Sequence, residues 1–445
     1  MAVTMQTDQH KELPVPDAGL DSASDSAATP APTTPPMRRQ LLNVALIVGA
    51  ILAAGAVTGR FSVVAVLISL LLMIMLHEFG HFITAKWCGM KVTEFFVGFG
   101  PKLFSVRRGE TEYGVKALPL GGYVRIVGMN NLETVAPEDE ARTFRQQSFP
   151  KRLLVMAAGS ATHVILAFVL LLVYFGPVGR VQAADHVASV VGSVEAGSPA
   201  EKAGLRPGDH IVGAGNRQVD DFRQLRDLFT ASQGDEVTQQ NVKPVRVRVE
   251  RNGATFDKFI VPMIVDCVPI IGIRAQDSGT SIEHLGIGAS VGESWKFMRE
   301  ALPQPASALG SFFAPDNLRR YSKQVTNATS ADACSGANQQ RFLSVVGLAN
   351  VAGQAADNGI RSILFLLINI NLFVAVVNML PLLPLDGGHI LIAIYERIRE
   401  RKGRRYFADV SKMLPVAVAV IAIMAVIGLS SLYLDVVRPA PNPFR

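Results

Sequence analysis

Long apolar runs constrain this chain more than anything else in it. Leu41 to about residue 76 is apolar almost throughout, broken only at Gly59-Arg60, and further runs cover about 153–176, 362–384 and 413–436. A bilayer crossing takes about 20 residues at a rise of 1.5 Å each, so the first run is too long for one span. It divides most simply into two helices, about 41–57 and 62–84, turning at Gly59-Arg60. One strongly tilted helix with a buried extension is the alternative. The chain is therefore expected to be a polytopic α-helical membrane protein with five spans.

Composition agrees. Of 445 residues, 49% are apolar and only 18% charged, and the formal balance of 43 basic against 37 acidic residues is +6. No long basic stretch is interleaved with aromatics, so nucleic acid is not an expected partner.

The placement of positive charge orients the spans. Lys86, Lys91, Lys102, Arg107, Arg108, Lys116, Arg125, Lys151 and Arg152 fall between the second and third runs. Arg397, Arg399, Arg401, Lys402, Arg404, Arg405 and Lys412 precede the last run, and Arg38-Arg39 precede the first. Five alternating spans put all three flanks on the cytoplasmic side and the stretch 177–360 outside.

Between the spans the chain changes character. Residues 1–37 are rich in Pro, Ala, Ser, Thr and Asp and cannot bury enough surface to fold, so a disordered cytoplasmic tail is expected. Residues 38–60 then form an extra N-terminal span, 61–86 a second, and 87–152 a cytoplasmic region. The glycine-rich part of that region alternates in hydropathy and reads as short strands and turns, a β-hairpin dipping into the membrane face. A span follows at 153–176. Residues 177–267 read as an inserted extracytoplasmic α/β module, with strands at 187–194 and 245–250 and an amphipathic helix at 220–231 that shows Phe222, Leu225, Leu228 and Phe229 on one face. Residues 268–360 read as linker and amphipathic helices, including one at about 341–358 near the outer surface. A span at 361–386, a basic segment at 387–412 and a last span at 413–436 complete the chain. Cys267 and Cys334 lie in the same external stretch. They are compatible with a disulfide there, or with two free thiols.

The sharpest motif is His77-Glu78-Phe79-Gly80-His81. On a helix, residues four apart share a face, so both imidazoles can meet one metal ion. Glu78, beside the first of them, can take a proton from water activated there. A chance HExxH in a chain this long is on the order of one per cent. Two core histidines beside a surface glutamate is the plain alternative. It fails because MIMLHEFGHFI is an apolar span, where such groups are costly without compensation. A tetrahedral zinc needs a third protein ligand. Asp386 is the candidate, in the stretch Asn378-Met-Leu-Pro381-Leu-Leu-Pro384-Leu385-Asp386-Gly387-Gly388-His389, at the inner end of its span. Pro381 and Pro384 break the helix and free backbone groups that could pair with an extended substrate. Asn378 could donate to the substrate backbone or to a developing oxyanion. His163 is a further ionisable group at membrane depth; it could contact substrate or a ligand, or simply bond a backbone carbonyl.

HEFGH ending one span, GSPAEKAGLRPGDHI in an external module and NMLPLLPLDGGH in a later span together resemble the site-2 protease family of zinc intramembrane metalloproteases. More narrowly they resemble the bacterial branch with a PDZ domain, the regulator of sigma factor protease type, over roughly residues 62–436. The resemblance implies one Zn2+ per chain held by His77, His81 and Asp386, Glu78 as base, and Asn378 with Pro381 and Pro384 in substrate handling. It implies a multi-pass protein of the bacterial cytoplasmic membrane that carries out regulated intramembrane proteolysis. The implied substrates are single-span membrane proteins such as anti-sigma factors, trimmed beforehand by another protease. The external module then resembles a PDZ domain, either a peptide binder by strand addition or a size filter. The chain departs from the family in carrying Ser160 and His163 where a Pro and an Asn are usual, and in its extra first span. His389 is expected in the surround of Asp386 rather than as a ligand. A non-enzymatic scaffold, a transporter, and a tethered zincin acting on soluble peptides are the competing readings. The intact HExxH with Asp386, the lack of a visible inverted repeat and the apolar setting of the motif speak against them respectively.

Overall fold

A computed structural model describes scattered residues between 46 and 57, then residues 61–129, 133–182, 188–233, 242–265, 268–276, 281–326, 342–400 and 406–437. The expected tail, most of the extra first span, and Cys267 and Cys334 lie outside the described residues. Cys88, inside them, is a buried free thiol.

Four described helices are long and apolar enough to cross a membrane: Val63–Trp87, Phe149–Phe175, Ile360–Asn378 and Ser411–Val437. The first lies in helix α1, Phe61–Trp87, which starts just past the expected break at Gly59-Arg60. Its outward side carries Leu67, Ile68 and Leu72 exposed, as suits a helix whose surroundings are apolar too.

The chain then forms two long strands, β1 (Val92–Arg108) and β2 (Thr111–Ile126). Each folds back on itself near Gly98–Gly100 and Pro119–Gly121. The tip pairs Arg107 with Glu112, while Phe95 pairs with both Tyr113 and Val124. The hairpin is thus four short runs in one sheet, and β2 lies against α1. Lys86 and Arg142 both pair with Glu110, tying the hairpin to the end of α1.

Helix α2 (Phe149–Phe175) opens after Ser148 with Pro150 in its first turn, where a missing amide costs nothing. The chain then leaves the bundle for an α/β module. Its elements are β3 (Val191–Val194), β4 (His210–Ala214), helix α3 (Phe222–Gln233), β5 (Val245–Arg251), β6 (Ala254–Ile260) and β7 (Ile273–Ala275). β5 alternates buried and exposed residues and pairs with β4 and β6. Leu225 and Phe229 of α3 enter a core with Ile211, Val247 and Val249. The module continues past residue 267, because Ile271 joins this core and β7 pairs with β3.

Helix α4 (Ile287–Ala301) is more than a surface element. Met298 and Ala301 pack with Ala167 and Leu171 of α2 and with Ile368 and Leu372 of the next long helix. Two shorter helices, Gln304–Phe312 and Pro315–Thr326, come next, and then helix α5 (Val345–Asp357), with Ser344 N donating to the buried Asp435 carboxylate at 2.7 Å. Helix α6 (Ile360–Asn378) packs along α2, and Arg361 donates to the carbonyls of Gly179 and Val178 at 3.0 and 3.1 Å. A turn leads into α7 (Asp386–Arg399), and α8 (Leu414–Val437) is the last helix.

One buried charged group locks this arrangement. Glu396 of α7 is 2% exposed, lies 2.5 Å from Arg152 of α2, and accepts from Ala408 N at 2.7 Å. Removing one partner of a buried pair strands the other charge, at a cost of about 3–5 kcal/mol. Glu396→Ala should therefore destabilise the protein by about that amount, and Glu396→Leu combined with Arg152→Met should recover most of it. Thermal unfolding of the detergent-solubilised variants measures both.

Candidate metal centre

Helical spacing turns His77 and His81 onto the same side of α1, and both are buried, at 7% and 5% exposure. Their Nε2 atoms lie 3.1 Å apart. Asp386, in the first turn of α7, brings Oδ2 to 3.4 Å from His77 Nε2 and 3.3 Å from His81 Nε2. Two segments distant in sequence thus place three donor atoms in one near-equilateral triangle. Among the described residues this is the group of His, Cys, Asp and Glu side chains that could hold a metal ion.

The fit can be tested on the geometry. A tetrahedral zinc with bonds of about 2.0–2.1 Å holds its ligand atoms about 3.3 Å apart, and the three edges here match that. The Oδ2 of Asp386 is buried without a hydrogen-bond partner, a costly state that a bound cation would relieve. His81 Nδ1 donates to Val155 O at 2.7 Å, which fixes the ring proton on Nδ1 and leaves the Nε2 lone pair for a metal. The donor set and its surround suit zinc.

Two local features make the convergence feasible. A Cβ on Gly159 of α2 would collide with the ring atoms of both His77 and His81, so α2 can cross this close only with glycine there. Cβ atoms on Gly387 and Gly388 would meet the backbone of residues 379–383. The paired glycines therefore let the chain double back after Pro381 and Pro384 and start α7 with Asp386 aimed inward.

The remaining expected residues are arranged around the triangle. Glu78 is half-buried and outside the three-atom group, and Gly122 of β2 packs on its side chain. Asn378 ends α6, half-buried, and Pro381 and Pro384 are exposed on the turn. His389 is half-buried in α7 and stands outside the group. His163 is 2% exposed and bonds Asn371 Oδ1 at 2.8 Å, a side-chain amide rather than the backbone carbonyl weighed from sequence. Ser160 is buried with an unpartnered Oγ.

Reading the sequence missed Gly159, Asn371 and the Val155 carbonyl. Asn371 carried a usable signal, being polar in an apolar span as His163 is. Gly159 had none that separated it from other small residues in helices. Overpacking a tight site costs about 1–3 kcal/mol, so Gly159→Ala should weaken zinc binding roughly 10- to 100-fold. Chelator competition on purified protein reads this directly.

Comparison with known proteins agrees with the site. The model of peptidase family M50 matches residues 65–422. The zinc metalloprotease Rip1 of Mycobacterium tuberculosis H37Rv is 31% identical over 398 residues, spanning 84% of this chain and 96% of the relative. Rip1 of Mycobacterium bovis BCG matches to the same extent, and Rip1 of Mycolicibacterium smegmatis is 30% identical over 407 residues with equal coverage. With four candidate spans and a group of three donors that could hold a metal ion already in place, the chain belongs to peptidase family M50, the site-2 protease family, and is a multi-pass membrane zinc metalloendopeptidase.

Proposed function

We propose that His77, His81 and Asp386 hold one zinc ion and that Glu78 is the general base of an endopeptidase acting on single-span membrane proteins such as anti-sigma factors. The observation that carries this reading is the triangle of donors, 3.1–3.4 Å on its edges, assembled from two apolar helical regions. When bound, zinc acidifies water and polarises the scissile carbonyl.

The protein's own groups then account for the rest of the reaction. Glu78 takes a proton from the attacking water as its oxygen bonds to the carbonyl carbon. Asn378 donates to the oxyanion that forms. As the carbon–nitrogen bond breaks, Glu78 returns the proton to the leaving amine, so the two products carry the elements of water between them. The substrate must be extended before a base can reach its backbone. The exposed turn at Pro381 and Pro384, where helical hydrogen bonding is interrupted, suits an unwound segment. We assign substrate handling to Asn378, Pro381 and Pro384. His163, buried and paired with Asn371, is better placed to act on the metal ligands than on an extended peptide.

The positive flanks favour a bacterial cytoplasmic membrane with the hairpin and the 387–412 segment inside and the α/β module outside. The module's fold order and its GSPAEKAGLRPGDHI stretch support a PDZ domain. An external module beside the bundle suits substrates already trimmed by another protease.

General bases contribute about 10²–10⁴ in rate. Glu78→Gln should reduce cleavage of a reconstituted single-span substrate by that factor, with zinc content unchanged. Cleavage at the wild-type rate by this variant would remove Glu78 from the mechanism.

A further inference from the structure

His77 meets the cluster through Nε2, so as a metal ligand its ring proton sits on Nδ1 and must be donated. His77 Nδ1 is buried and finds no acceptor among the described protein groups. Its companion His81 has one, the Val155 carbonyl at 2.7 Å. The two ligands are thus unequally supported.

The ring next to His77 is that of His163, with centroids 5.1 Å apart and planes inclined by 40°. His163 Nδ1 faces Asn371 Oδ1 at 2.8 Å. The Asn371 amide is held in this sense by its other end, since Nδ2 donates to Leu367 O at 2.8 Å and approaches Met73 Sδ at 3.3 Å. Oδ1 is therefore the atom that meets His163, and His163 Nδ1 carries the ring proton. In a neutral imidazole this leaves Nε2 bare, an acceptor only. The bare acceptor and the unpaired donor thus belong to two neighbouring rings.

We infer that His163 is a positioning residue for the metal, its Nε2 accepting the His77 Nδ1–H across one bridging water. Asn371, His163 and His77 then form one hydrogen-bonded chain running from α6 through α2 to the metal ligand on α1. The chain orients the His77 ring and raises the basicity of its Nε2, as outer partners of metal-bound histidines do. A ring engaged at both nitrogens inside the bundle is not free for a substrate backbone. The inference rests on His77 being a metal ligand.

The test uses full-length protein in detergent, in a Glu78→Gln background, loaded with zinc and titrated with a chelator of known zinc affinity. His163→Phe keeps the bulk of the ring without an acceptor and should weaken zinc binding about 10- to 100-fold. His163→Gln restores an acceptor near the Nε2 position and should recover most of that loss. Asn371→Leu, which releases the tautomer, should fall between, and it carries the test if His163→Phe does not fold. Melting temperatures of the zinc-free forms should stay near that of the parent. Unchanged zinc affinity in His163→Phe overturns the inference. So does a loss that His163→Gln fails to recover while zinc-free stability falls in step, because that reports packing alone. A parent protein that binds no zinc overturns the three-residue site, and this inference with it.

Discussion

A carboxylate and two imidazoles meet inside an apolar helix bundle, and the rest of the structure is arranged to allow it. The Asp386 side chain is largely withdrawn from water, and its Oδ2 is buried with no hydrogen-bond donor. The approach of Oδ2 to within 3.4 Å of both Nε2 atoms suits a cation as the shared partner. Helix α2 supports the meeting by offering Gly159 where any side chain would displace the rings. The turn after α6 supports it from the other side, because Gly387 and Gly388 let the chain reverse within van der Waals reach of its own backbone.

Around this centre the bundle is pinned at both ends. On one side, Arg361 at the start of α6 binds the carbonyls that follow α2. On the other, Glu396 binds Arg152 and the backbone leading to α8. Such links matter in an apolar bundle, where the hydrophobic effect gives little preference for one helix neighbour over another. They hold α2, α6 and α7 in the one mutual setting that keeps Asp386 opposite the HExxH turn. The hairpin contributes in a different way. Its folded-back strands bring β2 onto α1, where Gly122 packs on the Glu78 side chain and the half-buried carboxylate remains off the metal triangle.

Much of this was legible in the residues. The period-four spacing of His77 and His81, the helix-breaking Pro381 and Pro384, and the carboxylate at Asp386 inside an apolar run each carried a local signal. The alternation over 245–250 and the apolar face of Leu225 and Phe229 read as strand and helix, and the structure has a strand at Val245–Arg251 and a helix at Phe222–Gln233 there. Signals that depend on distant partners did not read. Residues 271–275 return to pair with the start of the module, a strand too short to announce itself. Helix α4 lies in a stretch read only as linker and amphipathic helices, yet its Met298 and Ala301 are packed against α2 and α6. Asn371 and His163 are each conspicuous in an apolar span, but their mutual bond joins positions 208 residues apart.

By itself the sequence determined which side chains could hold a metal and which stretches had to be helical, because both follow from periodicity and from the cost of polar groups in an apolar run. The tertiary structure alone decided that the two motifs share one depth and one face, that α2 crosses at Gly159 with no atom to spare, and that His163 turns toward Asn371. These are matters of helix rotation and axial offset. Rotating a span by one residue, about 100°, leaves its apolar pattern nearly unchanged but would carry a ligand to the far side of the helix.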